Sequence, residues 1–289
     1  MKYKYTLHEI TSSERTSNDF EKIPLTFDPA TYSKFKFGDK DAAREFGYKL
    51  ANGFMKSSAF GAALTSKKQL VVISSPYCFI PTATFVMKNY FVQYINQKLA
   101  ERGFPVVQET RIYRTTTYKE DYGELSAKER MKLISNDSFE IDLGFIQDKF
   151  LILLDDIKIT GSHERVVEKM MQQYDISNDH AFVYFAELMD STIDPKIENY
   201  LNYYYVKNLL DLDKIIKNKN FLFNTRVVKY ILNYKDKVEF DNFINYQAKR
   251  TLASLYHLAL GNSYHTIPDY QKNLKAIEQL LIQYDFLLK

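Results

Sequence analysis

The stretch FLILLDDIKITGSHE, residues 150–164, constrains the fold of this chain more than any other. Five consecutive apolar residues, Phe150 to Leu154, lack the alternation of a half-buried strand. They read as a strand covered on both faces, as in a parallel sheet with helices on either side. The run then meets Asp155 and Asp156, and after Ile157, Lys158 and Ile159 comes Thr160-Gly161-Ser162, with a helix expected from about Ser162. In such sheets ligands collect at the carboxyl ends of strands, and a turn entering a helix offers free backbone N–H groups to an anion. A strand over 149–154 places both carboxylates at that edge. The hydroxyl-Gly-hydroxyl turn suits a phosphate monoester, which needs backbone donors, side-chain donors and room to approach. Two carboxylates would repel that phosphate, so they suit sugar hydroxyls or the water shell of a Mg²⁺ ion. A plainer reading of the same letters is a strand that ends in Asp-Asp and a helix capped by Ser162.

The flanking sequence continues the same rhythm. QLVVISS (69–75) is a β-branched strand, a long helix is expected from about Thr82 to Arg102 with Gly103 and Pro105 ending it, and PVVQETRIYRTTTY (105–118) is again extended. A polar excursion follows over 119–142, with a short helix expected around Ala127 to Ile134. Long excursions in compact domains are often functional. HAFVYFAEL (180–188) supplies a further strand. Upstream, KYKYTLHEI alternates like a strand, and Asp39 precedes a helical pattern in which Phe46, Leu50 and Phe54 share one face. Beyond residue 193 only helical periodicity remains. The expectation is an α/β fold: an N-terminal segment (1–60) packed on a parallel-sheet core (61–192), followed by an all-helical appendage (193–289). A chain of 289 residues is long enough to bury such a core.

The 150–162 motif resembles the ribose-phosphate-binding motif of type I phosphoribosyltransferases, in which an apolar strand leads to two acidic residues and a small, hydroxyl-rich Gly turn. The matching residues are Leu151 to Leu154, Asp155, Asp156, Ile157, Thr160, Gly161 and Ser162. The departures are Lys158, Ile159 and His163, and Lys158 could add charge toward a phosphate. Upstream, YGELSAKERMKLISNDSFEI resembles the excursion of the ComF-like branch of that family, with the enzymes of tellurium-resistance gene clusters as the nearest group. The resemblance covers residues 69 to 190.

The resemblance implies a type I phosphoribosyltransferase core that moves ribose 5-phosphate from phosphoribosyl pyrophosphate to a nitrogenous acceptor, releases pyrophosphate and uses Mg²⁺. It implies catalytic roles for Asp155 and Asp156, which would also hold the metal through water, and a ribose-phosphate loop of Lys158, Ile159, Thr160, Gly161, Ser162 and His163. The pyrophosphate loop would be Ser74, Ser75, Pro76 and Tyr77. It lacks a basic residue, so Arg111 and Arg114, or Lys119 and Arg130 of the excursion, would supply the charge. YSKFKFGD (32–39) and the helical appendage are the segments expected to build the acceptor pocket. Two alternatives share the sequence: a non-catalytic sensor of phosphoribosyl pyrophosphate or a nucleotide on the same fold, and an interaction or RNA-binding protein using the helical part.

Other chemistries find little support. The five histidines lack metal-ligand spacing, and Gly-x-Gly-x-x-Gly, Walker and Gly-x-Ser-x-Gly patterns are missing. A single cysteine, Cys78, excludes an intrachain disulfide framework and reads as a small buried hydrophobe. A net charge of +3 argues against a nucleic-acid partner, and the apolar runs are too short to span a membrane. The N-terminus lacks a signal-peptide apolar core, so a cytoplasmic location is expected. The tyrosines after residue 193 fall beside Leu and Ile at helical spacing, which suits a packed face, a homodimer surface or a lid over the acceptor pocket.

Overall fold

The computed structural model describes residues 1–12, 19–114, 139–284 and 286. Lys119, Arg130 and the short helix expected over 127–134 lie outside them. In chain order the elements are β1 (Lys2–Ile10), α1 (Pro29–Lys36), α2 (Lys40–Phe54), α3 (Ser58–Thr65), β2 (Leu70–Ser74), α4 (Ala83–Ala100), β3 (Gln108–Glu109), β4 (Tyr113–Arg114), β5 (Phe139–Glu140), α5 (Leu143–Ile146), β6 (Phe150–Lys158), α6 (Ser162–Gln173) and β7 (His180–Leu188). There follow α7 (Ile197–Asn202), α8 (Leu209–Ile216), α9 (Thr225–Leu232), α10 (Lys237–Tyr246), α11 (Lys249–Gly261) and α12 (Pro268–Gln283).

Five strands form a parallel sheet in the order β1-β7-β6-β2-β3. The apolar run of β6 sits near its centre, and its residues divide by the period of two that strand geometry imposes. Phe150, Ile152 and Leu154 pack beneath α2 and α4 with Phe46, Leu50, Met87 and Phe91. Leu151 and Leu153 face α6 with Val167, Met170 and Met171. Both faces of the sheet are therefore covered, as the unbroken apolar run requires.

Two expectations change in detail. The N-terminal strand belongs to the sheet, pairing with β7 along its length from Lys2↔His180 to Ile10↔Leu188. The motif strand does not stop at Leu154: its ladder with β7 continues through Asp155↔Tyr184 to Lys158↔Glu187. The carboxylates thus lie inside the strand rather than just beyond it, because Asp156 is buried by cationic and hydroxyl partners instead of being released to solvent.

Asp39 caps α2 as expected, accepting the N–H groups of Asp41 and Ala42. Ile197 and Leu201 of α7 pack into the core under the sheet, while the helices from α8 onward share a second core, to which Val227, Val228, Ile231, Leu252, Leu255 and Ile277 contribute. Phe37 and Ile80 from the earlier chain insert into it. The segment after β2 is pinned there: Asn262 Oδ1 accepts the N–H groups of Phe79 (3.0 Å) and Ile80 (3.1 Å), and the Thr225 N–H donates to the Pro81 carbonyl (3.0 Å). Among the described residues no helix is long and apolar enough to cross a membrane.

Candidate functional site

A cavity of about 240 Å³ opens at the carboxyl end of the sheet, where β6 passes into α6. Its floor is the motif itself, from Asp155 to Glu164. Gly161 adopts φ +67°, the left-handed region that side chains with a Cβ resist, and this bends the chain from strand into helix. Thr160 Oγ1 and Ser162 Oγ lie 2.8 Å apart across the turn. Gly161, not Ser162, occupies the N-cap position and brings no capping side chain, while the Ser162 N–H donates to Thr160 Oγ1 at 3.4 Å. The plainer reading of Ser162 as a helix cap therefore fails, and the following N–H groups of α6 form the kind of helix N-terminus that binds anions elsewhere. Arg165, one turn on, donates to Ser162 Oγ at 3.1 Å.

The adjacent carboxylates are placed differently. Asp155 faces the α6 side, between Ser75 Oγ (2.6 Å) and His163 Nδ1 (2.7 Å). Burial alone would lower the pKa of His163, but the charge and hydrogen bond of Asp155 outweigh it and raise it. Asp156 faces the α2–α4 side and is buried. Its Oδ2 accepts from Tyr32 Oη (2.7 Å) and from the Lys36 ammonium, and its Oδ1 from Thr84 Oγ1 (2.8 Å). Burial would raise the Asp156 pKa, yet the Lys36 charge beside it holds the carboxyl far below its usual range. In the same enclosure burial pushes the Tyr32 hydroxyl up.

The expected residues divide accordingly. Asp155, Asp156 and the whole 158–163 loop line the cavity, as do Ser75, Pro76 and Arg114. Ser74 and Tyr77 do not. Ser74 is buried at the end of β2, and Tyr77 meets the Arg111 guanidinium 5.0 Å from its ring. Arg111 stacks on Tyr113 at 3.7 Å, away from the cavity. Lys158 bonds Glu164 (2.7 Å) and Glu187 (3.1 Å), so its charge is largely met by protein carboxylates. Glu164 also accepts from Lys2 (2.6 Å) and Tyr184 (2.7 Å). Burial works against its charged form, but these three donors draw its pKa from 4.5 down to about 2.

Both the 32–39 segment and the helical part contribute residues to this cavity. Lys36 comes from 32–39, and Thr225, Arg226 and Lys229 come from α9. Sequence reasoning did not single out Lys36, Thr84, Arg165 or the α9 cations. Arg165 carried a usable signal, being a base one helical turn after a hydroxyl-rich turn. Lys36 and the α9 pair converge only through tertiary packing.

These features define a covered parallel sheet with an acidic strand, a hydroxyl-Gly-hydroxyl turn and a helix at its carboxyl edge. The family model for ComF-like phosphoribosyltransferases matches residues 1–277, and the chain belongs to that family. The match takes in the N-terminal strand and nearly all of the helical part, well beyond the 69–190 span legible as a resemblance. No curated protein matches the chain. Among solved structures it is similar to a hypoxanthine phosphoribosyltransferase from Staphylococcus aureus in two crystal forms. For the tetragonal form the identity is 15%, with 50% of this chain and 64% of that chain covered and a TM-score of 0.29. For the orthorhombic form the figures are 12%, 56%, 65% and 0.27. The chain thus covers slightly less than two thirds of those proteins.

Proposed function

We propose that the chain is a phosphoribosyltransferase that moves ribose 5-phosphate from phosphoribosyl pyrophosphate to a nitrogenous acceptor. The observation that carries this reading is the convergence of the Thr160–Ser162 turn at the start of α6 and the Asp155 carboxylate on one cavity. The turn offers backbone N–H groups and two hydroxyls to a 5-phosphate, with Arg165 adding charge behind Ser162. Asp155, oriented by Ser75, His163 and the Asp156 N–H (3.0 Å), keeps an acceptor site on Oδ2 for a ribose hydroxyl. The reaction breaks the C1–pyrophosphate bond as the acceptor nitrogen attacks C1, through a transition state with oxocarbenium character. The protein then has little covalent chemistry to perform. Its residues position the two reactants and balance charge, with Arg114 at the cavity wall offering charge to the leaving group.

The family implies Mg²⁺, and the donor set suits it through one residue only. Among the described residues no group of three or more His, Cys, Asp or Glu could hold a metal. Mg²⁺ instead keeps several waters and takes one or two carboxylates plus substrate phosphates, which Asp155 fits. Asp156 does not, since it is buried and its charge is already met by the Lys36 ammonium. When bound, the ion would supply charge to the leaving pyrophosphate.

The test is pyrophosphate release from phosphoribosyl pyrophosphate and Mg²⁺ across a panel of nitrogenous bases. Base-dependent release is expected. Tight donor binding with no release for any base would instead support a sensor. One observation favours that second reading: the segment Ser75-Pro76-Tyr77 brings no cation of its own, and the Ser75 hydroxyl is already given to Asp155.

A further inference from the structure

We propose that the acceptor is an acid, a nitrogenous ring bearing a carboxylate or phosphate, recognised by Lys36, Arg226 and Lys229. This rests on the phosphoribosyltransferase reading and goes beyond it by naming the acceptor's charge. The three cations line the same cavity as the phosphate turn, but none comes from the sheet or from the motif. Lys36 ends α1 and is held at the wall by Asp156, on the sheet face away from α6. Arg226 and Lys229 lie three residues apart on α9, so both project from one side of that helix.

Charge and position both need explaining. Two carboxylates, Asp156 and Glu198, line this part of the cavity against three cations. Arg226 stands in the first turn of α9, where the helix dipole disfavours a positive side chain. A neutral acceptor would take only ordinary hydrogen bonds from these donors, whereas an anionic ring would gain charge-assisted ones, about twice as strong. The donor's own anions have other places: the 5-phosphate at the Thr160–Ser162 turn, and the pyrophosphate near Ser75, Pro76 and Arg114.

The wall also accounts for the helical half. Thr225 donates its N–H to Pro81 and its hydroxyl to the Ile80 carbonyl (2.8 Å), and Asn224 Nδ2 donates to the Lys36 carbonyl (3.1 Å). The start of α9 is therefore fastened both to the segment after β2 and to the residue that supplies the third cation. A lone pocket wall could drift. This one is fixed from two sides.

The experiment is calorimetric titration of the full chain, saturated with ribose 5-phosphate, against heteroaromatic carboxylates and the matching carboxamides. Carboxylates are expected to bind about tenfold or more tighter than their amides. Arg226→Gln/Lys229→Gln should erase that preference and leave ribose 5-phosphate affinity within about twofold. Lys229→Gln alone, at a half-exposed site, should weaken it and serves if the double variant fails to fold. Equal binding of acids and amides, no binding of any acid, or a preference that survives the substitutions overturns the proposal. So does a loss confined to inorganic pyrophosphate, which would assign the cations to the leaving group. Failure of the wild type to bind ribose 5-phosphate is a separate outcome: it removes the phosphoribosyltransferase reading and this inference with it.

Discussion

Asp155 and Asp156 are neighbours in the chain and serve opposite faces of the sheet: Asp155 joins Ser75 and His163 beside α6, while Asp156 joins Tyr32, Lys36 and Thr84 beneath α4. Strand geometry forces this division, since successive side chains alternate. The pair therefore cannot act as one unit, and its two members should fail differently when neutralised.

Asp156→Asn leaves the Lys36 ammonium buried without its counter-charge and should cost about 3 kcal/mol of stability. Asp155→Asn keeps a hydrogen-bonding side chain at a partly exposed site and should cost about 1 kcal/mol. Chemical denaturation of the two variants compares them directly. Equal losses would mean that Lys36 is not held as described.

Gly161→Ala should destabilise by about 1 kcal/mol, because alanine resists the left-handed conformation at φ +67°. The added Cβ would sit 3.3 Å from Arg165 Nη1 and from Lys158 Cε, both flexible ends that can yield. Strain rather than collision decides the outcome. A parallel fall in ribose 5-phosphate affinity is expected, measured by calorimetry alongside the denaturation curve.

Gly47 in α2 separates local propensity from packing. Helix propensity alone predicts that Gly47→Ala gains about 1 kcal/mol. A Cβ there would lie 2.5 Å from the Met87 carbonyl oxygen and 3.0 Å from the Phe91 nitrogen, both backbone atoms of α4. Overpacking should win, with a net loss of about 2 kcal/mol and a lowered melting temperature.

Glu164 supplies a pH dependence of known sign. Its folded pKa of about 2 lies below the ordinary 4.5, so its stabilising contribution is complete above pH 4.5 and is lost as pH falls toward 2. Wild type should exceed Glu164→Gln in stability near neutrality, and the gap should close across that window. A gap that stays constant from pH 5 to about pH 2 would contradict the Lys158–Glu164–Lys2 arrangement.

Much of this was written locally in the chain. The apolar run of β6, the Asp39 cap and the helical periodicity after residue 193 each depend on neighbours within a turn or a strand, and the structure agrees with all three. The strand's true end at Lys158 was hidden because the group that buries Asp156 is Lys36, 120 residues earlier. The sheet membership of β1 was hidden likewise, since its partner begins at His180. The motif announced the Thr160–Ser162 turn, and only packing announces the cations of α9.

The most direct measurement is calorimetric titration of the full chain with phosphoribosyl pyrophosphate and Mg²⁺, for the wild type and for Asp155→Asn. A saturable heat in the wild type, weakened at least about tenfold in the variant, is predicted from a carboxylate that accepts the ribose hydroxyls. No saturable heat in the wild type, or an affinity unchanged by Asp155→Asn, would contradict the assignment of this cavity to a ribose phosphate.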